Sequence, residues 1–123
     1  MENTKQRIIK KNCGYNINKL FGTGLRGYIN LNYKELVSVF GKTNGFIKDY
    51  KVDWSWTFLL NQIIITIYNY KTGPSYLHKR IGPNSINIWH VGAIYYYDLK
   101  ILEDYIIQKT GDKFSGRVII KEA

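Results

Sequence analysis

Between Val52 and Lys71 the chain alternates between apolar and polar positions. Val52, Trp54, Trp56, Phe58 and Leu60 share one parity, and Asp53, Ser55 and Thr57 the other. A strand sends successive side chains to opposite faces, so this pattern predicts one face on a core and one in water. Asn61-Gln62 breaks the alternation. The run from Ile63 to Tyr70 that follows is almost all β-branched or aromatic, which suits a pleated surface. The prediction is a β-hairpin turning at Asn61-Gln62. That pair is a weaker turn than Asn-Gly, because both central residues of a type I′ turn need positive φ.

The other elements follow from the same reading. Leu25, Gly27, Ile29 and Leu31 alternate with Arg26, Tyr28 and Asn30, predicting a strand with a polar, aromatic outer face. Asn32 is an N-cap for a helix over 33–40, with Glu35 placed for a capping box and Gly41 at its end. Residues 71–85 read as one long loop with two prolines and two glycines, of the kind that carries binding residues. Ile86, Ile88 and His90 alternate with Asn87, Trp89 and Val91, predicting a strand ended by Gly92. A second helix is expected over 94–109, with Tyr95, Leu99, Leu102 and Ile106 as its apolar stripe. Phe114, Val118 and Ile120, with Arg117 opposite, add a last strand. The order β-α-β-β-β-α, with that strand at its end, places three strands in succession. This favours a single α+β two-layer domain over 21–123: a mostly antiparallel sheet of about four strands carrying two helices, preceded by a basic N-terminal segment, 1–20. Gly22-Thr23-Gly24 precedes a strand instead of following one, so it is not a dinucleotide fingerprint.

Charge changes the picture more than size does. The 123 residues suit one domain, but 18 Lys and Arg against 9 Asp and Glu give a formal charge of +9. It is uneven: residues 1–51 hold 10 cations and 3 anions, residues 52–123 hold 8 and 6. Such a balance fits an anionic partner, or solubility alone. The richness in Ile, Asn, Lys and Tyr also fits an AT-rich genome. Cys13 is the only cysteine, which excludes an internal disulfide and is compatible with a reducing cytoplasm. The N-terminus lacks the apolar stretch of a signal peptide, and no apolar run approaches the length of a membrane span, so no membrane association is expected.

The candidate chemistry is binding. The two histidines, His78 and His90, and Cys13 offer no zinc spacing and no evident Cys–His pair, and no two carboxylates stand out as an acid–base pair. No cofactor, metal or catalysis is expected. Arg26 and Tyr28 share the outer parity of the first strand, Tyr68 and Tyr70 lead into Lys71, and Trp89-His90 end another strand. A nucleotide needs a π-face for its base and cations for its phosphates, and these residues supply both. His78, Lys79 and Arg80 are candidate loop contacts. Taken singly, each tyrosine reads first as an ordinary sheet residue with its hydroxyl in water.

GTGLRGYI at 22–29, ELVSVFG at 35–41, the Trp54–Trp56 strand, TIYNYK at 66–71 and WHVG at 89–92 together resemble a family of small proteins encoded by phages and prophages. Its members read GLxGYI, ELVxxFG, TIYxYK and WHIGG; here Ala93 replaces the second glycine, and Asn61-Gln62 stands where Asp-Gly is common. The resemblance spans roughly residues 22–107 and carries no enzymatic assignment. It implies a phage origin, the bacterial host cytoplasm and a role against host defence. Three functions then stay open: capture of a small nucleotide-type immune signal, inhibition of a host defence protein complex in the manner of an anti-CRISPR, and direct nucleic-acid binding. Self-association is compatible with each.

Overall fold

A computed structural model describes residues 9–11, 22–45, 47 and 49–121. The predicted hairpin is its centre. Ser55–Leu60 (β3) pairs with Ile63–Tyr68 (β4) from Ser55↔Tyr68 to Leu60↔Ile63. Asn61 and Gln62 both take positive φ, 49° and 73°, the backbone a two-residue type I′ turn requires. Four more strands complete an all-antiparallel sheet: Ile9–Lys11 (β1), Gly24–Ile29 (β2), Trp89–Ala93 (β5) and Val118–Ile120 (β6). Their spatial order is β1-β3-β4-β5-β2-β6. The α+β class is as expected, with six strands in place of about four. Of the two beyond four, β6 is the last strand expected, and the addition is β1, which lies in the basic N-terminal segment and pairs with β3 at the sheet edge. Cys13 and the rest of residues 1–20 outside β1 fall outside the described residues.

Tyr33–Phe40 (α1) forms for the reason its sequence gives. Asn32 Oδ1 accepts the Glu35 N–H at 2.8 Å, and Glu35 Oε1 accepts the Asn32 N–H at 2.9 Å. With Asp98–Thr110 (α3) it covers one sheet face. Leu36, Val39 and Phe40 of α1 and Leu99, Leu102 and Ile106 of α3 bury themselves on Trp56, Phe58, Ile67, Trp89 and Val91. Each such side chain contributes roughly 1.5–3 kcal/mol by leaving water. Trp56 and Trp89 meet edge to face at 5.3 Å, and the Trp56 indole N–H donates to the Gly41 carbonyl at 2.7 Å.

Three expectations are corrected. Ser55 and Thr57 are each 1% exposed, so the second face of β3 is not in water. Asn44 runs along the β3 edge beyond β1, exchanging hydrogen bonds with Thr57, and the Thr57 and Thr66 hydroxyls bond each other at 3.0 Å. The strand expected from Ile86 begins instead at Trp89. Trp89, Val91 and Ala93 face the core and Ile88 is exposed, the reverse of the predicted parity. Gly92 lies inside that strand: a Cβ there would sit 2.7 Å from the Thr66 methyl. The second helix starts at Asp98, not at residue 94. Tyr95 is 66% exposed and donates its N–H to the Asp98 carboxylate at 3.1 Å. The long loop also holds a helical turn, Pro74–Leu77 (α2), and a 3₁₀ turn, Pro83–Ser85. No helix among the described residues is long and apolar enough to cross a membrane.

Candidate functional site

The sheet face away from α1 and α3 carries a cross-strand aromatic row. Antiparallel pairing sets Tyr28 opposite His90 and His90 opposite Tyr68. Directly opposed side chains lie within contact reach. The His90 ring meets Tyr28 edge-on at 5.2 Å and Tyr68 edge-on at 5.5 Å. Tyr70, just past β4, stacks on the same imidazole at 5.5 Å and 27°.

Lysines border this group because the hairpin ladder continues below β3 and β4. Asn69 accepts the Asp53 and Trp54 N–H groups on its side-chain oxygen at 2.9 Å, and the Lys71 N–H donates to the Lys51 carbonyl at 2.9 Å. Lys51 and Lys71 are thereby level. Their ammonium groups lie over the Tyr70 ring at 5.9 and 5.4 Å, over Tyr50 (Lys51, 5.5 Å) and over Tyr76 (Lys71, 5.6 Å). Tyr50 and Tyr76 stack at 5.9 Å. The Asp53 carboxylate holds α2 against the hairpin, accepting from the Ser75 hydroxyl at 2.5 Å. Gly73 permits that approach, since a Cβ there would collide with Asp53.

Burial sets the protonation of the group. It pushes the Tyr68 phenol up, with the neighbouring Tyr70 and Tyr28 adding to the shift, so Tyr68 remains a neutral donor. It pushes the His90 imidazole below its ordinary value of 6.5, because the charged form is poorly solvated among rings. At neutral pH the row is an uncharged aromatic surface with cations along one end.

Beside it lies a cleft of about 290 Å³, lined by Tyr68, Tyr70, Thr66 and Gly92 from the sheet side, Thr23 and Gly24 at the start of β2, and Ile47, Asp49 and Val52 from the segment before the hairpin. That volume is at the small end of ligand pockets, which run from about 300 to 1,000 Å³. It suits one ring system with its charged part outside.

The structure brings together Tyr28, Tyr68, Tyr70, Lys71 and His90 of the residues singled out in the sequence. Trp89 is elsewhere, buried on the helix-covered face, as alternation demands of the neighbour of His90. Arg26 is also diverted. The β2–β5 register shifts between Leu25 and Gly27, which makes Arg26 the extra residue of a bulge. Its Nε donates to the Ile94 carbonyl at 3.1 Å and its guanidinium lies over Tyr96 at 5.0 Å, towards the Ala93 end of β5. His78, Lys79 and Arg80 are exposed beyond α2, with His78 in the left-handed conformation that ends it. Lys51, Tyr50, Tyr76 and Asp49 join the site without having been singled out. Their adjacency to hairpin-root residues was the only available signal. Among the described residues, no group of three His, Cys, Asp or Glu side chains is placed to hold a metal ion.

Fold and site define a small α+β domain with an aromatic, lysine-edged cleft on its helix-free face. No protein-family model, curated protein or solved structure matches the chain.

Proposed function

We propose that this protein binds a small nucleotide-type anion and holds it without changing it. The observation that carries this reading is the meeting of Tyr28, Tyr68, Tyr70 and His90 in one group, with Lys51 and Lys71 at its edge. Base–aromatic stacking supplies about 1–3 kcal/mol per base, and the lysines complement phosphate charge. The likeness of its motifs to small phage and prophage proteins supports a setting in which such capture withdraws an immune signal in the bacterial host cytoplasm. Isothermal titration calorimetry with linear, cyclic and ADP-ribose-type nucleotides tests the reading. The expected result is one-to-one binding with the ligand recovered intact by mass spectrometry. Absence of binding across the panel, or recovery of a cleaved product, overturns it.

A second reading follows from the net charge and from the Tyr50–Tyr76 stack beyond the row, which lengthens the aromatic surface along which single-stranded nucleic acid would lie. It predicts oligonucleotide affinity that rises with length and falls steeply with salt. Inhibition of a host defence protein complex would instead be read out by a host protein retained on the immobilised chain.

A further inference from the structure

The cleft has a property the phosphate-binding edge does not explain. Among its described lining residues one side chain is charged, and it is a carboxylate, Asp49. A carboxylate repels phosphate, so the part of the ligand that enters here is not the anionic part. Resting on the nucleotide-binding reading above, we infer that Asp49 recognises the hydrogen-bond donor edge of the base, and that the preferred base is guanine.

The geometry of Asp49 is set in advance. Its Oδ1 accepts the Lys51 N–H at 2.9 Å, its carbonyl accepts the Val52 N–H at 3.0 Å, and a β-bridge pairs it with Val52. That turn orders a carboxylate that would otherwise rotate freely. An ionised carboxylate is acceptor-only and has about four lone-pair sites, so one backbone bond leaves room for two more donors. Guanine offers two adjacent donors, N1–H and the N2 amine, matching the two oxygens. Adenine and cytosine offer an exocyclic amine beside an acceptor, and uracil a single N–H between carbonyls, so each leaves one oxygen facing an acceptor or nothing. The rest of the cleft suits the ring: Tyr68 and Tyr70 give π-faces, Ile47 and Val52 give apolar contact, and Gly92 adds no side chain beside the Thr66 methyl. Lys51 is two residues from Asp49, so a base at the carboxylate places its phosphates near the lysine pair.

The test is a calorimetric or fluorescence titration of the full chain with GMP, IMP, AMP, CMP and UMP, in the wild type and in Asp49→Asn. Inosine differs from guanine by the N2 amine alone, so the ligand series probes the contact without touching the fold. The wild type should prefer GMP by at least about tenfold over IMP and the other bases, the size expected of one bidentate base contact. Asn at position 49 can keep the bond to the Lys51 N–H but turns a donor towards the ligand. It should abolish the GMP preference while leaving UMP binding unchanged or tighter. Equal affinities across the panel, or a GMP preference that survives Asp49→Asn, overturns the inference and leaves nucleotide binding standing. Failure of every mononucleotide to bind the wild type overturns the inference, and the nucleotide reading falls with it only when the cyclic and ADP-ribose-type ligands fail as well.

Discussion

The two faces of the sheet use the same strands, one residue out of step, to opposite ends. On the helix side Trp56, Ile67 and Val91 align across β3, β4 and β5 and disappear under α1 and α3. On the other side Ser55, Tyr68, His90 and Tyr28 align across β3, β4, β5 and β2. There Ile47, Asp49 and Val52 from the segment before the hairpin stand over part of the face, leaving a cleft. Aromatic residues dominate both, so hydrophobicity alone does not distinguish them. What differs is what the rings touch: other apolar side chains on one face, lysines and an imidazole on the other. A closed face yields stability; a face closed by loops over rings and cations leaves interactions for a ligand to complete.

Substitution should separate the faces most sharply at the tryptophans. Trp56→Ala removes a fully buried indole and leaves the Gly41 carbonyl without its donor. A loss of about 3–5 kcal/mol is expected, a large part of a small domain's stability, seen as a fall in chemical-denaturation midpoint. Trp89→Phe should be milder than Trp56→Phe. The Trp89 indole N–H is buried with no hydrogen-bond partner among the described residues, so its removal forfeits packing but relieves an unmet donor. Equal costs for the two Phe variants would mean that the hydrogen bond to Gly41 contributes nothing net.

On the other face Tyr70→Ala should do the reverse. Tyr70 is exposed and its ring joins His90 to both lysines. Nucleotide affinity should fall by about 1–3 kcal/mol, roughly five- to a hundredfold, while the unfolding midpoint moves little. A variant that unfolds as readily as Trp56→Ala but still binds would erase the distinction between the faces. Next in size, Lys51→Gln with Lys71→Gln should weaken binding by about 1 kcal/mol or less per charge at physiological salt and flatten its salt dependence. An unchanged salt dependence would place the phosphates elsewhere.

How much of this was legible in the sequence differs between the faces in the same way. The core face was readable because parity along 52–60 and helical spacing along 33–40 are local signals, and Asn61-Gln62 broke the pattern at the true turn. The errors arose where a pattern was non-local. Ile86 and Ile88 mimic a strand, yet pairing begins only at Trp89 with β2 and at His90 with β4, and that register puts Trp89 inside. Arg26 and Tyr28 share a parity in sequence, but a bulge inserts one residue and sends the arginine away. Ser55 and Thr57 look solvent-facing because nothing in their own neighbourhood reveals the segment that covers them. Tyr68, Tyr70 and His90 were found because they lie on or beside strands. Asp49, Lys51 and Tyr76 were missed because loops and the hairpin root carry them to the cluster, and loop paths leave little trace in periodicity.

The smallest expected effect concerns His90, the centre of the open-face row. In the folded chain its imidazole is held below the ordinary value of 6.5 by burial among Tyr28, Tyr68 and Tyr70, while in the unfolded chain it titrates normally. Above that ordinary value both states carry a neutral imidazole, and His90 adds no pH dependence. As pH falls through it, the unfolded chain takes up the proton first. The native state therefore loses stability progressively, until the pH drops below the depressed folded value, where the loss levels off. Because the ring is only partly buried, the change is modest. It should appear as a decline in thermal midpoint between pH 7 and pH 5 that is visibly shallower in His90→Gln, which retains polarity but cannot charge. Identical slopes in the two proteins would mean that the imidazole is as well solvated in the fold as outside it. The row would then be a fully hydrated surface, not the partly desolvated aromatic group that lowers the imidazole's affinity for a proton.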